Sequence, residues 1–484
     1  MRASNPGRMR KALVAGVVVV SGLGAEPAMA GAAPAVPESV AADPACSGGV
    51  LNAVADAGAK GDGQADDTAS MRQAITTAYA SGRCLYLPGG LYRITGGLDW
   101  SKPASILGDP DTPAILRSTT NAALADTAYA NRWDRTPVLD NVVFDGLRLD
   151  VNSPYKTGPI IRRSVFVNRM GDGETPSGGD EQQTSSAQVA VALTNVVGAK
   201  VQDSIFLSDR QVDGGAPLFT YRTRDLTISG NVLGADLSST AWLSTWAGGR
   251  SWSQAPATRL AEVRRRTGLP AALGHIQRGI SIKGDINATV SGNIVNRDPR
   301  SRAKSDHGVY AWGFDGLKIT GNWLRGWPQD ARGGLKVRNG TGATIAGNLL
   351  YGTALLLYTY DVTNAPKVFQ DVVVCGNVYD IRTVTPAADH SGIMYWRNFP
   401  GTGAEQAIAV FGNRFLDPLA GTPGRPDVSQ VAGDAAAFTA SDNTYADGRA
   451  VPVVGMRNAA PTADQRARCA GSTVPELSIP GYQG

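Results

Sequence analysis

The sequence predicts an all-β protein, a right-handed parallel β-helix (a single-stranded solenoid) with a capping helix near its N-terminus. One observation is a spacing of thirteen residues from an apolar residue to an asparagine, found in four pairs: Leu218 and Asn231, Ile280 and Asn293, Val309 and Asn322, and Leu335 and Asn348. The last three asparagines follow one another at 29 and 26 residues, a period typical of repeat proteins. β-Branched residues alternate with polar ones in these segments, which indicates strands.

The asparagines mark one turn position in successive coils. Coils of a β-helix stack about 4.8 Å apart, so amide side chains at one position can bond to their neighbours above and below. The pattern continues at Asn377, Asn413 and Asn443, and it weakens toward the N-terminus at Asp203. We interpret this ladder as structural.

Composition narrows the possible functions. The chain has 484 residues, 58 of them glycine, and only 18% are charged, which suits a protein rich in strands and turns. The net charge of +4 is spread without a basic run, so nucleic acid is not an expected partner. We expect a monomer that does not bind membranes and whose substrate is a polysaccharide.

The first thirty residues have the features of a signal peptide. Arg8, Arg10 and Lys11 precede an apolar run, and Ala28-Met29-Ala30 offers a cleavage site after Ala30. The apolar run is too short to span a membrane. We therefore expect a secreted protein in which residues 31–45 form a linker, 46–450 form the β-helix domain and 451–484 pack on it as a tail.

We expect the four cysteines to be in an oxidising compartment, where disulfides can form. The simplest pairing joins Cys46 to Cys84 and Cys375 to Cys469, although four cysteines allow three connectivities.

A helix is predicted between Asp66 or Asp67 and Gly82, with Met71, Ile75 and Ala78 on its buried face. The flanking segments read GAKGDGQADDT at 58–68 and YLPGGLY at 86–92. They resemble the N-terminal part of the pectate lyase-like superfamily of β-helix proteins. The resemblance implies that this helix covers the open end of the solenoid, where a sheet edge needs protection. It is nearly silent on function, because lyases, hydrolases, epimerases and phage tailspikes share the fold.

Two segments interrupt the coils. Residues 171–186 are a polar loop, and residues 237–277 form a long insertion whose part 258–267 reads as a short helix with Arg264, Arg265 and Arg266. We expect this helix either to lie beside the stack or to form a lid over the substrate.

Alternation along the strands predicts two outward columns of side chains. The first contains Phe219, Ser281, Tyr310 and Lys336; the second contains Tyr221, Lys283, Trp312 and Arg338; the following coils add Tyr358, Tyr360, Met394 and Trp396. A surface strip of aromatic rings and cations suggests a groove for an acidic glycan, because rings stack on sugars and cations pair with carboxylates.

The catalytic candidates follow from the chemistry of a uronate lyase. Such an enzyme removes the proton beside a carboxylate and expels the 4-linked oxygen, so it needs cations and a group that moves protons. Lys336, Arg338, Lys283 and Tyr310 meet these needs, and His307 is a further acid–base candidate. Asp285 is a candidate ligand for calcium or a partner of Lys283, or neither.

Resemblance to particular members is weaker. The strand GLKVRNG resembles the Arg-His-Gly strand of alginate- and chondroitin-type lyases, which would match Arg338, but Trp312 stands where those lyases have a lysine. The segment 325–332 is similar to the Arg-x-Pro-x-x-Arg of pectate lyases with one extra residue on either side of Pro328, so no role is carried over, although Arg332 is counted among the substrate-binding candidates.

A polysaccharide lyase is therefore the preferred hypothesis. A glycoside hydrolase of the same fold needs paired carboxylates, and only Asp306-His307-Gly308 and Lys336-Val337-Arg338 are similar to polygalacturonase motifs. A non-catalytic glycan-binding surface protein is the alternative from another class.

Overall fold

Parallel strands pair from residue 50 to residue 458 and wind the chain into a solenoid with three faces. The computed structural model describes residues 35–118, 120, 122–125, 135–152, 157–168, 189–208, 216–236, 256–268, 272–273, 279–297, 307–327, 333–361, 367–380, 392–399, 404–416 and 427–472. Several predicted features lie outside these residues: the signal peptide, the loop 171–186, Asp306, Arg332 and most of the insertion 237–277.

Each complete coil contributes one strand to each face in the order first, second, third. The first face holds Leu98–Asp99, Ala123–Ala125, Arg148–Asn152, Val191–Thr194, Leu218–Tyr221, Ile280–Lys283, the start of Val309–Thr320 and of Leu335–Ala346, Leu355–Thr359, Ile393–Arg397, Val428–Val431 and Val453–Val454. The second holds Val50–Asn52, Cys84–Leu87, Ile106–Gly108, Val138–Asp140, Ile160–Arg162, Lys200–Gln202, Thr227–Ser229, Thr289–Ser291, the ends of Val309–Thr320 and Leu335–Ala346, Phe369–Cys375, Glu405–Phe411, Phe438–Ser441 and Arg457–Asn458.

The third face is a separate sheet. It holds Asp62–Asp66, Gly90–Ile94, Ala114–Ser118, Val142–Asp145, Val165–Asn168, Ile205–Ser208, Val232–Leu233, Ile294–Asn296, Trp323–Arg325, Leu349–Tyr351, Val378–Asp380, Arg414–Phe415 and Thr444–Tyr445. Two further strands, Ala235–Asp236 and Ala272–Leu273, pair antiparallel. The predicted parallel β-helix is thus confirmed.

The thirteen-residue spacing lies within one coil, from a first-face strand to the asparagine just before the third-face strand, while the coil repeat is the 29 and 26 residues that separate Asn293, Asn322 and Asn348. Leu218, Ile280, Val309 and Leu335 are consecutive strand partners on the first face, and all are fully buried in one core that runs through the solenoid. Aromatic rings stack in the same interior, with Phe144, Phe166 and Phe206 at 4.7 and 5.0 Å between successive centroids. The side chains predicted to point inward therefore form the core.

The N-terminal cap has the predicted helix. After the short helix α1 (Glu38–Ala41) and a 3₁₀ turn (Pro44–Cys46), helix α2 (Thr68–Ser81) begins after Asp67 and ends at Gly82 in the left-handed conformation. Its buried face, which includes Met71 and Ile75, joins the solenoid core. The helix covers apolar side chains at the first coils, as an open end requires.

The asparagine ladder is continuous from Asn231 to Asn443. At each step the Oδ1 atom of one asparagine accepts hydrogen bonds from the main-chain N–H and the Nδ2 of the asparagine one coil before, as between Asn322 and Asn348 at 2.9 and 3.0 Å. The expectation for Asp203 was wrong by one residue. Asp203 is in the left-handed conformation, with a φ of 46°, at the position that Gly230 occupies in the next coil. The ladder position in this coil is Ser204, whose main-chain N–H donates to Asn231.

Helix α3 (Pro256–Thr267) lies against the third face. Its Val263 is buried among apolar side chains of that face, and Arg117 donates to the carbonyl of Arg266. The two predicted columns lie on the first face. The helix therefore lies beside the stack, and the interpretation of this helix as a lid over the columns was wrong.

Both simplest disulfide pairs are present, Cys46–Cys84 and Cys375–Cys469. Helix α4 (Ala463–Cys469) is held on the second face by the second disulfide and by Arg468, which donates to Thr344 and Asp371. A 3₁₀ turn occurs at Ala435–Ala437. Residues 451–458, which we expected in the tail, contain the last two strands of the stack. In the part of the chain that is described, no helix is long and apolar enough to cross a membrane.

Candidate functional site

The two outward columns have the predicted register on the first face. Phe219, Ser281, Tyr310 and Lys336 are consecutive strand partners, and so are Tyr221, Lys283, Trp312 and Arg338. The next coils extend the first column with Leu356 and Met394 and the second with Tyr358 and Trp396. Tyr360 follows directly after the strand Leu355–Thr359.

The columns are more buried than a surface strip should be, and this expectation was wrong. Lys283, Lys336 and Arg338 are 2%, 9% and 5% exposed, and Tyr310 is 4% exposed. Trp312, Tyr221 and Tyr360 are half-buried, while Trp396 is 41% exposed. Long side chains on neighbouring coils lie against one another here, so rings cover cations that alternation alone would place in solvent.

Arg338 is the centre of the cluster. Its Nη1 donates a hydrogen bond of 3.0 Å to the hydroxyl of Tyr310 on the preceding coil. Its guanidinium carbon lies 4.4 Å from the ring centroid of Tyr360, 5.7 Å from that of Tyr358 and 5.9 Å from that of Trp312. Three aromatic rings thus surround one cation at cation–π distances.

Lys336 lies between two rings of the same cluster. Its Nζ is 5.6 Å from the ring centroid of Tyr310 and 5.0 Å from that of Tyr358. Arg338 and Lys336 leave the same face of one strand, about 7 Å apart along it. The cluster therefore carries two cations, and the described residues of the two columns from Phe219 to Trp396 include no carboxylate.

His307 joins the cluster from the turn before its strand. Its ring stacks on Tyr310, with centroids 5.5 Å apart and planes inclined by 23°. Its Nδ1 is 2.7 Å from the carbonyl oxygen of Gly333, and a carbonyl can only accept, so Nδ1 carries the proton. In the neutral ring the basic nitrogen is then Nε2.

The earlier coils hold further cation–ring pairs. Lys283 Nζ is 5.6 Å from the Phe219 ring centroid, and Arg222 lies 4.9 Å from that of Tyr221. Along the second column Lys283 is one coil from Trp312 and two coils from Arg338. Lys283, Phe219 and Tyr221 thus continue the strip on the N-terminal side.

Asp285 does not lie in the columns. Its carboxylate accepts hydrogen bonds from the Thr220 hydroxyl and from the N–H of Thr223 at 2.7 Å, and the residue is fully buried. Burial raises the pKa of this carboxyl from 3.8 to about 7. Calcium takes six to eight oxygen ligands, and no group of three or more acidic, histidine or cysteine side chains in the described residues is arranged to hold a metal. These residues do not suit calcium, and a calcium requirement stays a prediction.

Two features of the cluster were missed from the sequence. The Nε1–H of Trp312 is buried and has no acceptor among the described residues. Asn339, directly after Arg338, bonds through its side chain to both main-chain groups of Tyr360. A single asparagine outside the ladder gives no periodic signal, so only the strand register reveals it.

Comparison with known proteins supports the fold of the N-terminal part. Residues 51–248 match the family model described as rhamnogalacturonase A/epimerase, pectate lyase-like. The resemblance to the pectate lyase-like superfamily is therefore confirmed over these residues.

The similar curated proteins match over short segments. Alginate lyase 7 of Azotobacter vinelandii is 49% identical over 55 residues, which are 11% of this chain and 6% of that protein. Mannuronan C5-epimerase AlgE5 of the same organism is 56% identical over 45 residues, 9% of this chain and 4% of that protein. The chain thus spans only a small fraction of the length of either relative.

Solved structures are similar over longer stretches at low identity. The A-module of mannuronan C-5 epimerase AlgE6 of Azotobacter vinelandii is 15% identical, with a TM-score of 0.42 and coverage of 82% of this chain and 99% of that one. The surface protein and adhesin PfbA of Streptococcus pneumoniae is 13% identical, with a TM-score of 0.39 and coverage of 84% and 99%.

Proposed function

We propose that this protein is a secreted polysaccharide lyase that cleaves a uronate-containing glycan by β-elimination in the cluster around Arg338. The observation that carries the proposal is the hydrogen bond from Arg338 to the Tyr310 hydroxyl. It joins a cation that can hold a carboxylate to a phenol that can move a proton, which are the two functions that the reaction needs.

The charge of the cluster supports an anionic substrate. Arg338 and Lys336 lie on adjacent outward positions, and both are largely removed from water. A carboxylate that pairs with a desolvated guanidinium gains more than it does with an exposed one, because the local dielectric is low. The half-buried ring of Trp312 and its Nε1–H offer a stacking surface and a donor for a sugar oxygen.

The reaction is a proton abstraction followed by loss of a leaving group. A base takes the proton from C5 of the uronate, and the electron pair moves into the carboxyl group, whose developing charge Arg338 and Lys336 stabilise. The C4–O4 bond then breaks with its electron pair leaving on O4, which takes up a proton as a C4=C5 double bond forms. A donor aimed at the developing charge is worth roughly 3–4 kcal/mol of barrier.

Tyr310 and His307 are the residues we assign to proton transfer. The guanidinium of Arg338 donates to the phenolic oxygen of Tyr310, so it is placed to stabilise negative charge that develops there as the proton moves. His307 stacks on the same ring, and its Nδ1–H bonds to Gly333, so Nε2 is the ring nitrogen that we assign to proton transfer. Tyr310 is the base in this assignment, and His307 is the group that returns the proton.

A hydrolytic mechanism receives less support. Glycosidases hold two carboxyl groups across the bond that they cleave. The cluster around Arg338 consists of cations and rings, whereas the acidic candidate Asp285 accepts its hydrogen bonds from Thr220 and Thr223 outside the columns. No step that we propose requires a metal.

C5 epimerisation is the second candidate. It begins with the same proton abstraction, and it ends with return of a proton to the opposite face instead of loss of O4. Local matches to both an alginate lyase and a mannuronan C5-epimerase make this outcome worth testing.

The test is incubation of the purified protein with a panel of uronic-acid polymers in deuterated and ordinary water. A lyase produces the absorbance of an unsaturated uronate. Deuterium at C5 without that absorbance indicates epimerisation, and new reducing ends without either indicate hydrolysis. Binding without any of the three would leave a non-catalytic glycan-binding protein and overturn the proposal.

A further inference from the structure

We infer that Asn339 is a positioning residue that fixes the ring of Tyr360 against the guanidinium of Arg338. This inference rests on the proposed function for its kinetic part, but its structural part can be tested without any activity. The carrying observation is a reciprocal pair of hydrogen bonds. Asn339 Nδ2 donates to the carbonyl of Tyr360 at 2.9 Å, and the N–H of Tyr360 donates to Asn339 Oδ1 at 2.9 Å.

The contact lies where regular strand pairing ends. The strand Leu355–Thr359 ends one residue before Tyr360, so the regular pairing between coils stops there. In the earlier coils the residue at the position of Asn339 bonds to the next coil through its main-chain N–H, as Arg222 does to Lys283 at 2.8 Å and Gly284 to Trp312 at 2.7 Å. The side-chain amide of Asn339 instead pairs with the main-chain N–H and carbonyl of Tyr360, as the backbone of a neighbouring strand would.

Asparagine is the residue type that suits this place. Asn339 has a φ of 43°, in the left-handed region, which asparagine tolerates better than most residues. Its amide has both a donor and an acceptor, as a peptide group does. Aspartate would lose the donor and glycine would lose both groups. Asn339 is fully buried, so either loss would leave main-chain groups of Tyr360 without this partner.

The hydrogen bonds of Asn339 affect the reacting groups through Tyr360. Its ring is the nearest of the three to Arg338, at 4.4 Å, and it also stacks with Tyr358 at 5.7 Å. A ring held over a guanidinium restricts where that cation can lie. Asn339 therefore fixes Tyr360, Tyr360 fixes Arg338, and Arg338 presents its charge to the carboxylate and to Tyr310.

The test uses Asn339→Gly, which keeps the left-handed conformation and removes both hydrogen bonds. The matched control is Asn195→Gly, another left-handed asparagine (φ of 57°) in the same turn column, whose side chain bonds to Asn152 instead. We expect Asn339→Gly to lower kcat about tenfold with little change in KM, the size expected for loss of a desolvated cation–π contact. Asn195→Gly should leave kcat unchanged.

A double-mutant cycle separates positioning from general damage. If Asn339 acts through Tyr360, then Tyr360→Ala and Asn339→Gly together should lower kcat no more than Tyr360→Ala alone. Additive losses, or full kcat in Asn339→Gly, would overturn the inference. A crystal structure of Asn339→Gly supplies the readout without turnover: the Tyr360 ring should leave its contact with Arg338. An unmoved ring would overturn the inference even if the wild type cleaves no uronate, and inactivity of the wild type would count only against the proposed function.

Discussion

Arg338 and Tyr310 lie on adjacent coils, and the guanidinium Nη1 donates to the phenolic oxygen at 3.0 Å. The bond forms because Tyr310 is the strand partner of Lys336, two residues before Arg338, so the two side chains start from diagonal positions on one sheet face. In the proposed function, this bond links the residue that binds the substrate carboxylate to the residue that transfers the proton.

Replacing Tyr310 by phenylalanine tests this relationship. The ring that stacks on His307 stays, while the hydroxyl is lost. We expect kcat to fall at least about a hundredfold, as for loss of a group that transfers a proton. The free energy of unfolding should fall by about 1.5–3 kcal/mol, because the lost hydrogen bond comes from the charged guanidinium of Arg338.

The control for this change is Tyr351→Phe, a tyrosine on the third face beside Arg325. Its kinetics should match those of the wild type. Wild-type kcat in Tyr310→Phe would remove Tyr310 from the mechanism and move the search for the base to His307.

The asparagine ladder should govern stability without affecting turnover. Asn322→Ala removes the acceptor of the N–H and Nδ2 of Asn293 and the donor to Asn348. Each buried group left unsatisfied costs about 1–3 kcal/mol, so denaturant unfolding should show a loss of at least that size. Asn458→Ala, at an exposed position, is the control. A variant that loses turnover per folded molecule but not stability would contradict the structural role.

The buried carboxyl of Asp285 predicts a dependence of stability on pH. Its pKa is raised from 3.8 to about 7 in the folded protein, so between these values the folded state keeps a proton that the unfolded state has lost. The free energy of unfolding should therefore fall as pH rises through this window, by about 1.4 kcal/mol for each unit between the two pKa values.

Asp285→Asn removes this contribution, because the amide is uncharged at every pH. Denaturant unfolding of both proteins from pH 4 to pH 8 isolates it, since the other carboxyl groups titrate in both. The free energy of unfolding of the variant should rise relative to that of the wild type as pH increases. A constant difference would show that Asp285 is ionised in the folded protein near neutral pH.

The disulfide Cys375–Cys469 should hold the C-terminal helix rather than the stack. It closes a segment of 94 residues and joins α4 to the second face. Cys469→Ser should lower the free energy of unfolding by about 2–4 kcal/mol. Limited proteolysis should then cleave the chain near α4 and leave the coils intact. Digestion of the coils at the same rate would contradict a local role.

The sequence predicted the architecture well because the coil repeats. Val309 and Leu335 could be aligned without a structure, and the alignment placed Trp312 beside Arg338 as the strand register has it. The same reasoning failed at Asp203, because serine replaces asparagine in the early ladder and the residue before it takes the left-handed conformation.

The candidate site was less predictable than the fold. Alternation identifies the direction in which Lys336 and Arg338 leave the strand, but their burial depends on contacts with rings of neighbouring coils. The position of Asp285 depends on a turn, where alternation no longer holds, and its partners Thr220 and Thr223 come from the coil before. The bonds of Asn339 to Tyr360 depend on where the next strand ends. None of these features has a periodic signature.

The most direct test of the central claim is the rate of unsaturated-product formation by an Arg338→Ala, Lys336→Ala double variant, on the polymer that the wild type cleaves fastest. The matched control removes the same two charges elsewhere, Lys318→Ala on the second face and Arg325→Ala on the third. If the cluster stabilises the developing charge, the double variant should lose at least about a hundredfold in kcat while the control keeps its rate. Full activity in a folded double variant would contradict the assignment of this cluster as the active site.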